Sequence, residues 1–142
     1  MSEKRLVLIR GISGSGKSTT AKELVDDFTQ QGFSCRHFET DQFFTDLEGN
    51  YNFNKEDLQR AHSWCLNETK LAMAIGVDLI IVSNTFTKYW EMAEYMLLTK
   101  KHSEYVVDVI EKTQYYKSEK DSIDIETLQA QKGRFQEYFK QK

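Results

Sequence analysis

The segment "RLVLIRGISGSGKS", residues 5–18, restricts the fold more than any other part of the chain. Its last eight residues fill every fixed position of the phosphate-cradling loop G-x-x-x-x-G-K-[ST]. The apolar run at 6–9, bounded by charge and glycine, suits a short strand buried on both faces of a parallel sheet. After the loop, Ala21, Leu24, Val25 and Phe28 recur at helical spacing, and Gly32 stands where that helix would stop. Strand, glycine-rich turn and helix are the surroundings in which such a loop holds a polyphosphate.

Gly11, Gly14 and Gly16 give the backbone the freedom to turn successive N–H groups inward around phosphate oxygens. Lys17 can reach the terminal phosphates as a point charge, and the Ser18 hydroxyl can ligate the magnesium that accompanies a nucleotide. The helix that follows aims its N-terminal dipole at the same place. Ser13 lies inside the loop and is counted with the cofactor-binding set.

The rest of the chain alternates strands and helices. A second strand is expected near 34–39, then an irregular polar and aromatic loop, "TDQFFTDLEGNYNFN". Leu58, Ala61, Cys65, Ala72 and Ile75 put an apolar stripe on a long helix ending at Gly76. "DLIIVSN" is the third strand, and Tyr89, Met92, Ala93, Met96 and Leu97 follow the pattern of a core-facing helix capped by Thr87. "EYVVDVIE" is the fourth strand; a lid near 112–124 and a terminal helix through Leu128, Phe135 and Phe139 complete the chain. The expected fold class is α/β: one domain over 1–142 with the P-loop NTPase fold, an open, mostly parallel sheet of four to five strands with helices on both faces.

Composition narrows the function classes. A formal net charge of −3 argues against a broad electrostatic footprint for duplex nucleic acid, although a local basic groove is compatible with it. Cys35 and Cys65 form neither a metal-ligand spacing nor a disulfide framework, and read as reduced thiols of a cytoplasmic protein. No apolar run reaches the roughly 18 residues of a membrane span, and the polar start is unlike a secretory signal, so a soluble, unprocessed chain is expected.

In an open parallel sheet the C-terminal ends of the strands face one crevice, which puts "ETDQFF" and "SNTFT" beside the loop. Asp41 sits where a carboxylate would orient an acceptor hydroxyl and take its proton. An aspartate there can equally cap the loop through backbone hydrogen bonds. Phe43, Phe44, Tyr51 and Phe53 could stack a base of a single-stranded end or form a small cluster under the loop.

Together, "GISGSGKST", "ETDQFF", "YNFNKEDLQRAHSWC" and "SNTFTKYWEM" resemble the small P-loop kinase-like proteins typified by the kinase domain of the Nedd-four-binding protein, related to polynucleotide 5'-hydroxyl kinases. The resemblance covers about residues 6–96. It implies binding of ATP and Mg2+ through Gly14, Ser15, Gly16, Lys17, Ser18 and Thr19, with Asp41 as general base. It places Asn84 and Thr85 in the crevice, where they could hold substrate or a water on the metal; His62 and Phe44 are further candidates for substrate contact, with structural roles as their alternatives.

Two departures stand out. Many relatives carry an aspartate where this chain has Ser83, and basic lids with arginines where this chain offers Lys112, Lys117 and Lys120. Arg134 is a candidate substitute on the terminal helix. The implied activity is magnesium-dependent transfer of the terminal phosphate of ATP to a hydroxyl, such as a polynucleotide 5'-hydroxyl. A small hydroxyl substrate, or an ATP-binding module acting through a partner, are the alternatives.

Overall fold

The computed structural model describes residues 4–12 and 14–112. Four strands, β1 (Lys4–Gly11), β2 (Cys35–Phe38), β3 (Leu79–Asn84) and β4 (Tyr105–Lys112), form one sheet in the order β2-β3-β1-β4. Every neighbouring pair is parallel. The helices are α1 (Lys17–Gln30), α2 (Thr40–Phe43), α3 (Leu58–Ala74) and α4 (Tyr89–Leu98), with a 3-10 turn at Lys55–Asp57.

Alternation along β1 sorts the core into two layers. Leu6 and Leu8 join Ile80 and Val82 against Cys65, Met73, Met92 and Tyr95 of α3 and α4. Val7 and Ile9 join Leu79 and Ile81 against Ala21, Leu24, Val25 and Phe28 of α1. This follows from connectivity: the chain crosses the sheet one way through α1 and returns the other way through α3 and α4, and right-handed crossovers put the two passages on opposite faces. The central strands β1 and β3 are buried on both sides, as their unbroken apolar runs require.

Helix α1 ends where Gly32 predicts: the Phe33 N–H donates to the Phe28 carbonyl at 3.0 Å and the Gly32 N–H to that of Thr29 at 3.0 Å. The Phe28 and Phe33 rings, 6.0 Å apart, seal this end. Helix α3 closes in the same way at Gly76.

Several expectations need correction. The stretch expected to be irregular contains α2, the 3-10 turn and a small hairpin in which Thr45 bridges Tyr51 and the Asp46 carboxylate accepts the Glu48 and Asn50 N–H groups. Ile75 is exposed because it lies past the last turn of α3; the buried places go to Thr69, whose hydroxyl donates to the Cys65 carbonyl, and to Met73. On α4, Tyr95 takes the core position and Leu97 faces out, since Tyr95 lies one turn beyond Met92 and packs edge-on against Phe86. The cap of α4 is at Lys88 rather than Thr87: Glu91 accepts both the Lys88 N–H at 2.9 Å and the Thr87 hydroxyl at 3.1 Å. Lys112, where the expected lid begins, is the last residue of β4. The rest of the expected lid, the terminal helix, Ser13 and Arg134 lie outside the described residues.

Candidate active site

The loop after β1 is packed against its neighbours. A Cβ on Gly11 would lie 2.4 Å from the Lys112 carbonyl oxygen and 2.6 Å from the Ser15 hydroxyl, so only glycine fits. The Gly11 N–H donates to the Thr85 carbonyl at 3.2 Å, which ties the loop to the end of β3. Gly16 caps α1 at φ 91° and no side chain caps that helix, leaving its first N–H groups for an anion.

Lys17 folds back over the loop, its Nζ donating to the Gly11 and Ile12 carbonyls at 2.9 Å each. Burial pushes its pKa down to about 8, against the opposite pull of Glu39 and Asp41. The Ser15 hydroxyl is buried with no hydrogen-bond partner among the described residues.

The exit of β2 supplies the carboxylates. Glu39 Oε2 accepts the Ser18 hydroxyl at 2.9 Å and the Ser83 hydroxyl at 3.0 Å. His37 Nε2 lies 2.6 Å from Ser83 Oγ. Since Ser83 has one proton and donates it to Glu39, His37 fills the donor role toward Ser83. Burial holds the His37 imidazole below its ordinary pKa, against the pull of Glu39.

Two residues further on, Asp41 lies in α2. The Thr40 N–H at the start of that helix donates to Asn84 Oδ1 at 2.9 Å. Asn84 is buried, so it positions the aspartate's helix from below. Asp41 reaches the surface of the crevice yet is crowded by protein on its inner side; this loss of hydration and the nearby Glu39 charge raise its pKa. Two effects oppose the rise: the Tyr51 hydroxyl donates to Asp41 Oδ1 at 3.3 Å, and the Lys17 charge lies nearby. The second carboxylate oxygen has no partner among the described residues and is available to accept a proton.

The aromatic residues form a cluster beside Asp41. Phe44 is buried at its centre, with Phe43 5.3 Å and Phe53 5.0 Å away between ring centroids. Tyr51 and Phe53 are half-exposed and nearly parallel at 16°. Phe43 also meets Trp64 of α3. Phe44 therefore supports the loop, while Tyr51 and Phe53 present the accessible ring faces. Thr85 is half-buried and meets the loop through its backbone. His62 is half-buried on α3 and makes no hydrogen bond or ion pair among the described residues.

Sequence reasoning missed three residues that organise this site: Glu39, His37 and Arg10. Arg10, next to last in β1, is fully buried and donates to the Phe86 carbonyl through Nε at 3.1 Å and Nη2 at 2.8 Å. Phe86 holds a left-handed φ of 45° within "SNTFT", a costly conformation for a bulky residue. Only the position of Glu39 at a strand exit beside the loop could have singled it out.

The Ser18 hydroxyl and the Glu39 carboxylate are hard oxygen donors of the kind magnesium prefers. Among the described residues, no group of three or more His, Cys, Asp or Glu side chains could hold an ion. Most ligands would then come from nucleotide phosphates and water, the usual arrangement for magnesium. The donor set fits a nucleotide-borne Mg2+, which Ser18 would hold.

The family model for the AAA domain matches residues 6–138. The chain belongs to that family. NEDD4-binding protein 2 from Homo sapiens is 39% identical over 97 residues, which are 68% of this chain and 5% of that relative. The chain thus spans about one-twentieth of the length of the curated relative it matches.

Solved structures share the AAA domain's architecture at lower identity. A sugar kinase from Janibacter superposes with a TM-score of 0.63 at 21% identity, covering 94% of this chain and 79% of that one. The APS kinase CysC of Mycobacterium tuberculosis, in complex with AMPPNP and APS, gives 0.54 at 18% identity over 78% and 62% of the two chains. A chain of the Pnkp1/Rnl/Hen1 complex gives 0.59 at 14% identity over 92% and 39%. The fold is that of the P-loop kinases. No helix among the described residues is long and apolar enough to cross a membrane.

Proposed function

We propose that this AAA domain is a magnesium-dependent phosphotransferase that moves the terminal phosphoryl group of ATP to a hydroxyl, the 5'-hydroxyl of a polynucleotide in particular. One observation carries this reading: Asp41 lies at the crevice beside the loop, with one carboxylate oxygen held by Tyr51 and the other without a partner among the described residues. The loop N–H groups and Lys17 bind the phosphates, and Ser18 holds the cation. Magnesium, when bound, offsets charge on the phosphate oxygens. Asp41 orients the acceptor hydroxyl and takes its proton, a role suited to a carboxylate whose pKa is raised by lost hydration and the nearby Glu39 charge. Tyr51 and Phe53 offer ring faces on which a terminal base can stack, which tolerates any sequence.

The test is incubation with labelled ATP and a panel of 5'-hydroxyl oligonucleotides and nucleosides, with Asp41→Asn as control. Label on oligonucleotides that is lost in Asp41→Asn supports the reading. Label on nucleosides alone would move the acceptor to small hydroxyl compounds. Tight ATP binding with transfer to no acceptor would leave a nucleotide-binding module.

A further inference from the structure

The geometry points to Glu39, at the exit of strand β2, as the carboxylate that steadies the magnesium shell at the phosphate loop, with Ser83 as its anchor. This inference rests on the nucleotide and magnesium part of the proposed function and is independent of which acceptor is used.

Strand register brings the two residues together. Phe38 pairs with Val82, so the next step along each strand sets Glu39 beside Ser83. Ser83 cannot supply a negative charge, but its hydroxyl donates to Glu39 Oε2 at 3.0 Å and is itself held by His37 at 2.6 Å. The same oxygen accepts from Ser18 at 2.9 Å. A serine hydroxyl has one proton and two lone pairs, so Ser18 can keep donating to Glu39 while a lone pair faces a cation. That hydrogen bond fixes the hydroxyl's orientation and places a full negative charge one hydrogen bond from the ligating oxygen. Waters on the ion are then within reach of the same carboxylate.

This role also explains why the Ser18 and Ser83 hydroxyls both donate to one glutamate oxygen, with His37 holding Ser83. A buried serine and an imidazole held neutral by burial are donors to an anion and have little to offer a cation directly. The pattern is an anchored carboxylate aimed at the metal position of the loop. Glu39 is a positioning residue: it acts on the cation through Ser18 and through water.

The experiment is equilibrium binding of ATP by calorimetry, with Mg2+ and with EDTA, on the whole chain and four variants. Glu39→Gln keeps the shape of the side chain and loses the charge. We expect the Mg2+-dependent gain in ATP affinity to fall about 10- to 100-fold, while affinity in EDTA is unchanged or improves because a negative charge near the phosphates is gone. Ser83→Ala, which frees the carboxylate without removing it, should show a smaller loss of the same kind. Glu39→Gln combined with Ser83→Asp should recover part of the Mg2+ dependence. Circular dichroism on each variant separates these effects from unfolding; Glu39→Asp, with the charge kept on a shorter arm, gives a second measure should Glu39→Gln fold poorly. Equal Mg2+ dependence in wild type and Glu39→Gln would overturn the inference. A failure of phosphoryl transfer to every acceptor would leave this binding experiment unaffected, so the two readings fail separately.

Discussion

The Arg10 guanidinium donates through two of its nitrogens, Nε and Nη2, to a single acceptor, the carbonyl of Phe86. That grip holds a buried aromatic residue at a positive φ and so sets the path of the chain between β3 and α4. Burial lowers the Arg10 pKa, and the charges of Glu111 and Glu91 oppose that shift.

Arg10→Met keeps most of the volume but leaves the Phe86 carbonyl and Glu111 without this donor. Removing one partner of a buried charged network costs about 3 kcal/mol. Urea unfolding should show a lower midpoint with an unchanged slope. A midpoint equal to wild type would mean that the turn holds itself.

Gly11→Ala puts a methyl group into space already filled by the Lys112 carbonyl and the Ser15 hydroxyl. Overpacking of this sort costs about 2 kcal/mol, and here it also displaces the loop. The expected outcome is a lower melting temperature together with loss of ATP binding; wild-type ATP affinity would show that the loop can yield.

Lys17 gives a pH dependence with two opposite signs. Between about 8, its value in the folded protein, and 10.5, its ordinary value, the unfolded chain binds the extra proton, so nucleotide-free stability rises with pH across that window. The charge that attracts phosphate is lost over the same interval, so ATP affinity falls. Calorimetry from about pH 7 to about pH 9.5 should show that fall in wild type and a flat, weak response in Lys17→Met. A fall of equal size in Lys17→Met would assign the titration to another group.

Tyr51→Phe removes a hydrogen bond that stabilises the ionised form of Asp41, so the already raised pKa of that carboxylate rises further. A base must be ionised to work, so the acidic limb of the transfer rate should move to higher pH while the plateau holds. The sign for stability is the reverse of the usual carboxylate case: the contribution is present below the ordinary pKa and lost as pH rises through the raised one. Rate profiles of the two proteins against pH decide it, and superimposed acidic limbs would remove Tyr51 from the site.

The parts of this molecule legible in its sequence are those specified by near neighbours. The loop, β1 and α1 announce themselves by spacing within a single run of residues, and the position of Asp41 follows from the rule that parallel strands end at one crevice. Glu39 escaped notice because its meaning depends on Ser83, 44 residues away, and a lone glutamate at a strand exit has no pattern of its own. Arg10 reads as the polar end of an apolar strand; its burial is made tolerable by a carbonyl 76 residues distant. Helix α2 has four residues, too few for any periodicity. The stripes on α3 and α4 were right in kind and wrong at their ends, where Ile75 and Leu97 drift off the buried face.

Glu39 and Asp41 leave the same strand two residues apart, one bonded to the hydroxyl of the phosphate loop and the other facing the crevice. Breathing of the sheet changes the spacing between strands far more readily than the spacing between such close neighbours along one backbone, where covalent geometry sets the reach. Sliding of β2 against β3 would therefore carry both carboxylates in the same direction, one with the phosphate loop's hydroxyl and the other with the crevice.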